Sequence, residues 1–206
     1  MSSIRLPLAY AGSIGYYQKY FHADRATFEL QEHYIKQTLR NRIYILGPNG
    51  VQHLVLPVIK INGSKTAMKD LQISYQTDWV RQHWGALKAA YAASPFFDHY
   101  AYDLEPIFHS GETSYLKFSQ QIHRFMLQCI GIEVKEQFSE KYDLEDGEID
   151  FRLHDELPEE NVDYHYHQVF EINRKFEGNL SLLDAIFNLG PMARPLITNP
   201  SKAIFV

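Results

Sequence analysis

The opening thirty residues constrain the fold more than any other stretch. Ile4–Tyr10 reads as a strand, with Pro7 keeping it near an end or an edge. Ala11-Gly12-Ser13-Ile14-Gly15 is a turn of small residues, Ile14–Phe21 suits a short helix, and Ala26–Leu30 suits a second strand. Strand, glycine turn, helix, strand outlines a βαβ unit, because parallel neighbours need a crossover. The expected class is therefore α/β: a Rossmann-like sheet with an added β-hairpin and a helical layer. The alternative is α+β, with an antiparallel sheet and a separate helical cluster.

The hairpin is the clearest local signal. Ile43–Leu46 and His53–Ile59 flank Gly47-Pro48-Asn49-Gly50, residues that fit turn dihedrals. A further short strand is expected at Asp70–Tyr75. The middle of the chain is helical. Asp78 is placed to cap Trp79–Tyr91, Ser94-Pro95 opens a second helix through Leu104, and Ser114–Ile130 forms a third that ends before Gly131. The three should pack as one layer. Near the C-terminus, Ser181-Leu182-Leu183-Asp184 is an N-terminal capping pattern for Leu182–Leu189, which stops at Gly190-Pro191. With 206 residues, one domain spanning 1–206 is expected.

Charge is uneven. The formal net charge is −5, but residues 1–103 sum to +4 and residues 104–206 to −9. A net of +4 suits an anionic small molecule and is too weak for a nucleic-acid groove. The segment 133–163 holds 13 acidic residues and only Lys135, Lys141 and Arg152 as basic ones, so it reads as solvated surface with short strands at Val134–Phe138 and Ile149–Leu153. One cysteine, Cys129, excludes an intramolecular disulfide and a thiolate zinc site. No membrane-spanning run and no secretory signal are seen, so a cytoplasmic location is expected.

Chemistry concentrates in Glu32–Arg42. His33 suits a general base, Lys36, Arg40 and Arg42 suit carboxylate or phosphate, and Asn41 suits an oxyanion donor. The competing reading is a solvated basic turn before a strand. Gly12 and Gly15 offer a turn for an anion or cofactor, although two glycines also suit any tight turn; no motif names a cofactor. Tyr10 joins this site beside the glycine turn, with Asp184 and Asn188 brought in by the C-terminal helix, and capping already explains Asp184. Asp163, His165 and His167 would share one face of a strand, yet alternate side chains stand ~7 Å apart, so no metal is expected. His83, one turn after Trp79, reads as a packed, hydrogen-bonded residue.

Several blocks resemble the WbqC-like protein family of bacteria. They are Tyr16-Tyr17-Gln18-Lys19, His33–Arg42, Leu54–Lys60, His83-Trp84, Ser94-Pro95-Phe96-Phe97, Tyr166–Phe170 and Leu180–Gly190. The resemblance implies a role in O-antigen-like surface-polysaccharide assembly, with aminoacyl transfer suggested for some members. A weaker likeness is to the opening of nucleotidylyltransferase-type folds, but Tyr16 stands where their second histidine would be. The expected function is acyl or aminoacyl transfer to a sugar. The alternatives are a nucleotide-dependent ligase and a non-catalytic binding or scaffold protein. The expected partners are an anionic or sugar substrate and, as one option, a second copy in a homodimer.

Overall fold

Pro7 ends the first strand three residues earlier than expected. In the computed structural model, which describes residues 2–133, 136–153, 162–170 and 175–199, β1 is Ser3–Pro7. Beyond it the backbone turns inward: the Tyr10 amide bonds to Leu39, and the buried Tyr115 hydroxyl donates to the Leu8 carbonyl at 2.8 Å. Helix α1 (Ile14–His22) starts at Ser13, whose Oγ accepts from the Tyr16 amide, and leads to β2 (Arg25–Glu29). β1 and β2 pair in parallel, so the βαβ reading holds.

The hairpin is tighter than expected. β3 (Arg42–Gly47) and β4 (Gly50–Val55) pair antiparallel around Pro48-Asn49. The second strand does not reach Ile59, because Pro57 lacks the N–H that a continuing ladder needs. Val58–Ile59 (β5) pairs instead with Gln72–Ile73 (β6), which lies within the strand expected at Asp70–Tyr75 and follows a 3₁₀ turn at Met68–Asp70.

Helices α2 (Trp79–Tyr91), α3 (Phe97–Phe108) and α4 (Tyr115–Cys129) follow the expected apolar spacing. Two caps differ. Asp78 makes no capping bond and pairs with Arg81 at 3.1 Å, while Ser94 Oγ folds back to the Tyr91 carbonyl, so α3 begins only at Phe97. Gly131 does take a positive φ of 63° after α4. The three helices are not a plain layer. They gather around α5 (Leu182–Leu189), which touches all three and is buried over nearly its whole length. A 3₁₀ turn at Gly190–Ala193 and α6 (Arg194–Thr198) then pack back on α1.

Gly190 sits at φ 59°, and a Cβ there would lie 2.6 Å from the Phe96 ring. Backbone strain of about 1–3 kcal/mol adds to displacement of that ring. Gly190→Ala should therefore lower stability by about 2 kcal/mol or more, read by urea denaturation. A loss under about 0.5 kcal/mol would show that Phe96 moves freely.

The acidic segment corrects the sequence reading most. It is not simply solvated surface. Glu148–Asp150 is β7, overlapping the start of the strand expected at Ile149–Leu153; it pairs in parallel with β1 and gives the order β2-β1-β7. Phe138 bridges Phe28 in parallel on the other edge; the expected strand at Val134–Phe138 begins outside the described residues. The fold is thus α/β with a small parallel sheet plus antiparallel hairpins, and among the described residues the parallel sheet stops at three strands.

Strand alternation splits this sheet chemically. Ile4, Leu6 and Phe28 face the apolar core, where Phe28 meets Tyr20 and His123. Arg5, Thr27, Glu29 and Glu148 face the other way and are also buried. Residues 137–145 cover that polar face where a Rossmann fold would place helices.

Candidate functional site

The buried polar face is held by a closed set of ion pairs. Arg5 Nε and Nη2 donate to the two oxygens of Glu148 at 3.0 and 2.8 Å, and Nη1 donates to Glu29 at 2.9 Å and to the Lys141 carbonyl at 3.1 Å. Glu29 also accepts from Arg152 at 3.2 Å, Ser139 Oγ at 2.7 Å and the Gln31 amide at 2.6 Å. Arg152 forks onto Asp150 at 2.9 and 2.8 Å and lies 4.1 Å from the Tyr142 ring centroid.

At the carboxyl ends of β2 and β7 this network opens into a cleft of about 560 Å³. Glu32, His33, Tyr142, Asp150 and Arg152 line it, with Ile35 and Leu153 at its apolar side. The end of a parallel sheet is where ligands bind in open α/β folds, because strand ends carry the loops that can vary without disturbing the sheet. His33 is exposed there and held by a bridge to Ala67. Next to it Glu32 is buried and forked onto Arg40, with both contacts at 2.8 Å. Burial pushes the Glu32 carboxyl up, against the opposing pull of Arg40.

The structure sorts the expected site residues into two groups. Arg40 is buried, and its guanidinium is spent on Glu32, Thr38 and the Arg152 carbonyl. Asn41 is buried as well, accepting from the Gln37 amide and donating to Leu56. Arg40 thus braces the cleft wall through Glu32 and Arg152, Asn41 braces the turn beside β3, and neither faces an oxyanion. Lys36 is exposed on the following turn, and Arg42 is half-buried with its Nε unpartnered; neither has an ion pair among the described residues.

Tyr10 does not reach the cleft. It is buried, and its hydroxyl lies 3.0 Å from His83 Nδ1. Burial outweighs the nearby Val55 carbonyl, which by itself would favour a protonated ring. Burial lowers the His83 pKa to about 4, so the ring stays neutral. Tyr17 and His123 repeat the arrangement at 3.0 Å, and burial again brings the histidine down to about 4.

The Gly12–Gly15 turn offers no open anion cradle. The amides of Ile14, Gly15 and Tyr16 bond to Leu180 O, Asn179 Oδ1 and Ser13 Oγ, and a Cβ on Gly12 would lie 2.5 Å from the Tyr16 ring. These glycines serve close packing. Asp184 is not a cap either. Its carboxylate accepts from Tyr91 at 2.8 Å, Tyr166 at 2.5 Å and Gln168 at 3.0 Å in the core. Asn188 donates to the Asp184 carbonyl one turn back. The Leu46 amide donates to Tyr91, so this cluster sits at the far end of β3 from Arg42, roughly 13 Å along the strand.

Sequence reasoning missed Arg5, Glu29, Glu148, Tyr142 and Arg152 as neighbours of the site. The available signal was Arg5 between two core residues of a buried strand, which demands a buried carboxylate. Asp163, His165 and His167 do share the exposed side of an extended segment, while Tyr164, Tyr166 and Gln168 are buried. Among the described residues no three His, Cys, Asp or Glu side chains are grouped to hold a metal. Cys129 is half-buried, and burial raises its thiol to about 12, unsuited to a nucleophile.

The family model for the WbqC-like protein family matches residues 9–161, which include His33, Arg40 and the covering segment. The chain belongs to the WbqC-like protein family. Among curated proteins the chain is similar to uncharacterized protein Rv1507c of Mycobacterium tuberculosis, 26% identical over 208 residues, covering 87% of this chain and 90% of the other. No solved structure matches. Among the described residues, no helix of this WbqC-like chain is long and apolar enough to cross a membrane.

Proposed function

We propose that this WbqC-like protein transfers an acyl or aminoacyl group to a sugar in surface-polysaccharide assembly, and that the acceptor binds in the cleft at the ends of β2 and β7. The observation that carries this reading is the exposed His33, its backbone anchored by the bridge to Ala67, in the cleft beside the buried Glu32–Arg40 fork. A base must reach the acceptor and be able to pass its proton to solvent, and an exposed imidazole in a cleft meets both conditions. In this scheme the acceptor oxygen or nitrogen bonds to the acyl carbon, His33 takes the acceptor's proton, and the donor's leaving group departs with its bonding pair. The Tyr142 ring, 54% exposed, supplies a face for a sugar ring. Lys36 and Arg42, outside the cleft lining but near it in sequence, are the cations offered to an anionic part of a substrate, while Arg40 positions the wall.

The ligase alternative loses support, since the Ile14, Gly15 and Tyr16 amides at the helix start are engaged within the chain. ATP should therefore give no thermal stabilisation. The test of the main reading is a panel of nucleotide-linked amino sugars, followed by thermal shift and by mass spectrometry of products with acyl donors. His33→Ala should keep the melting temperature within about 2 °C and lower turnover by roughly 10²–10⁴-fold. Tyr142→Ala should weaken sugar binding. An active His33→Ala variant would remove the proposed base; binding without transfer by any donor would favour the non-catalytic alternative.

A further inference from the structure

The polar face of the sheet carries a second cavity, on the other side of the Arg5–Glu29 pair from the acceptor cleft. Its volume is about 440 Å³, and it lies between β2 and residues 137–145. Arg25 and Thr27 line it from β2. Two positions apart on one strand, they share a face with roughly 7 Å between their Cα atoms. Arg5, the register partner of Thr27 on β1, lies beside them.

Thr27 is only 2% exposed, and its Oγ1 has no hydrogen-bond partner. Arg25 Nε is likewise buried and unpartnered, although Nη2 of the same guanidinium reaches Glu145 at 2.6 Å. Lys141 also lines the cavity and has no ion pair among the described residues. Buried donors left without acceptors are costly, and native proteins rarely keep two side by side. A hydroxyl and a guanidinium N–H two positions apart on one strand, in a cavity that a lysine also lines, can bind one tetrahedral anion. Glu140, Asp143 and Glu145 also line the cavity; all three are exposed, so solvent and salt weaken their repulsion of an anion. Arg5 is already matched by Glu29 and Glu148, and Arg25 shares its Nη2 with Glu145 in an exposed pair, which leaves Arg25 Nε and the Lys141 side chain as the cationic donors.

We infer that this cavity binds the phosphate group of a small phosphorylated molecule, held by Thr27 Oγ1, Arg25 Nε and the Lys141 ammonium. The volume leaves room for an organic moiety beyond the phosphate. The site is independent of the acceptor cleft and of any transfer reaction there.

Calorimetric titration of the full chain with inorganic phosphate, at constant ionic strength and with acetate and chloride as comparators, tests it. Saturable phosphate binding is expected, with a dissociation constant on the order of 1 mM or below. Thr27→Val keeps the side-chain shape and should weaken binding at least 10-fold. Lys141→Gln, on an exposed side chain that folding does not need, should also weaken it. His33→Ala should bind phosphate as the parent does. Absence of saturable binding, equal binding of acetate, or unchanged affinity in both Thr27→Val and Lys141→Gln would overturn the assignment.

Discussion

Arg5→Ala is expected to lower the stability of the folded chain by about 3–5 kcal/mol, the usual cost of removing one partner from a buried ion pair. Arg5 is 3% exposed and touches two buried carboxylates, Glu29 and Glu148, so its loss leaves both without their main counter-charge. For a chain of this size the melting midpoint should fall by roughly 10 °C. The pH dependence should change as well. Burial alone would push the Glu148 carboxyl up, but hydrogen bonds from Arg5 and the Glu145 amide hold it below its ordinary value. The Arg152 fork, working against burial, holds Asp150 down likewise. Carboxyls with depressed folded values stabilise the protein above the ordinary carboxylate range, and that contribution disappears as pH falls through the folded values. The parent should therefore lose stability steeply below about pH 4. Arg5→Ala should lose less on acidification, since protonation relieves the charge it has left unmatched. Urea denaturation at several pH values measures both. A deficit under 1 kcal/mol, or curves that run parallel in acid, would show that this network contributes little.

Asp184→Ala should be nearly as damaging. Its carboxylate is fully buried and accepts three hydrogen bonds, from Tyr91, Tyr166 and Gln168. Truncation strands two phenol hydroxyls and an amide, each costing about 1–3 kcal/mol when left unpaired in the interior. A net loss of about 3–5 kcal/mol follows, because some of these donors will find water in the space left. Asp184→Asn retains one oxygen acceptor and should lose about half as much. The cluster ties α2, α5 and the Tyr164–Gln168 segment to β3 through the Leu46 amide, so near-ultraviolet circular dichroism should register loosened tyrosine packing. If Asp184→Ala instead melts like the parent and only its turnover falls, Asp184 belongs to the reaction and not to the core.

These two residues show where reading the chain reached its limit. Asp184 stands three residues after Ser181, so local pattern assigns it to a cap; its actual partners lie 93 and 18 positions away at Tyr91 and Tyr166. Arg40 and Asn41 carry the right groups for an oxyanion site, but the Glu32 carboxylate and the Leu56 carbonyl claim them. His33 was legible because its neighbours in sequence are also its neighbours in the cleft. Tyr142 and Arg152 were not, because they arrive from more than a hundred residues further along the chain.

The sequence by itself determined the local elements: the βαβ opening, the hairpin about Pro48-Asn49, four of the helices and the stop at Gly190. Each rests on interactions within a few residues, where spacing, caps and permitted dihedrals decide the outcome. Only the tertiary structure decided what the acidic segment does. Read locally, thirteen carboxylates predict solvated surface. In the fold, Arg5 and Arg152 lie in the interior and need carboxylates, so Glu148 and Asp150 are drawn into a third parallel strand and residues 137–145 close over the polar face. Burying a guanidinium is unfavourable unless opposite charge and hydrogen bonds come with it, and that demand acts through space rather than along the chain.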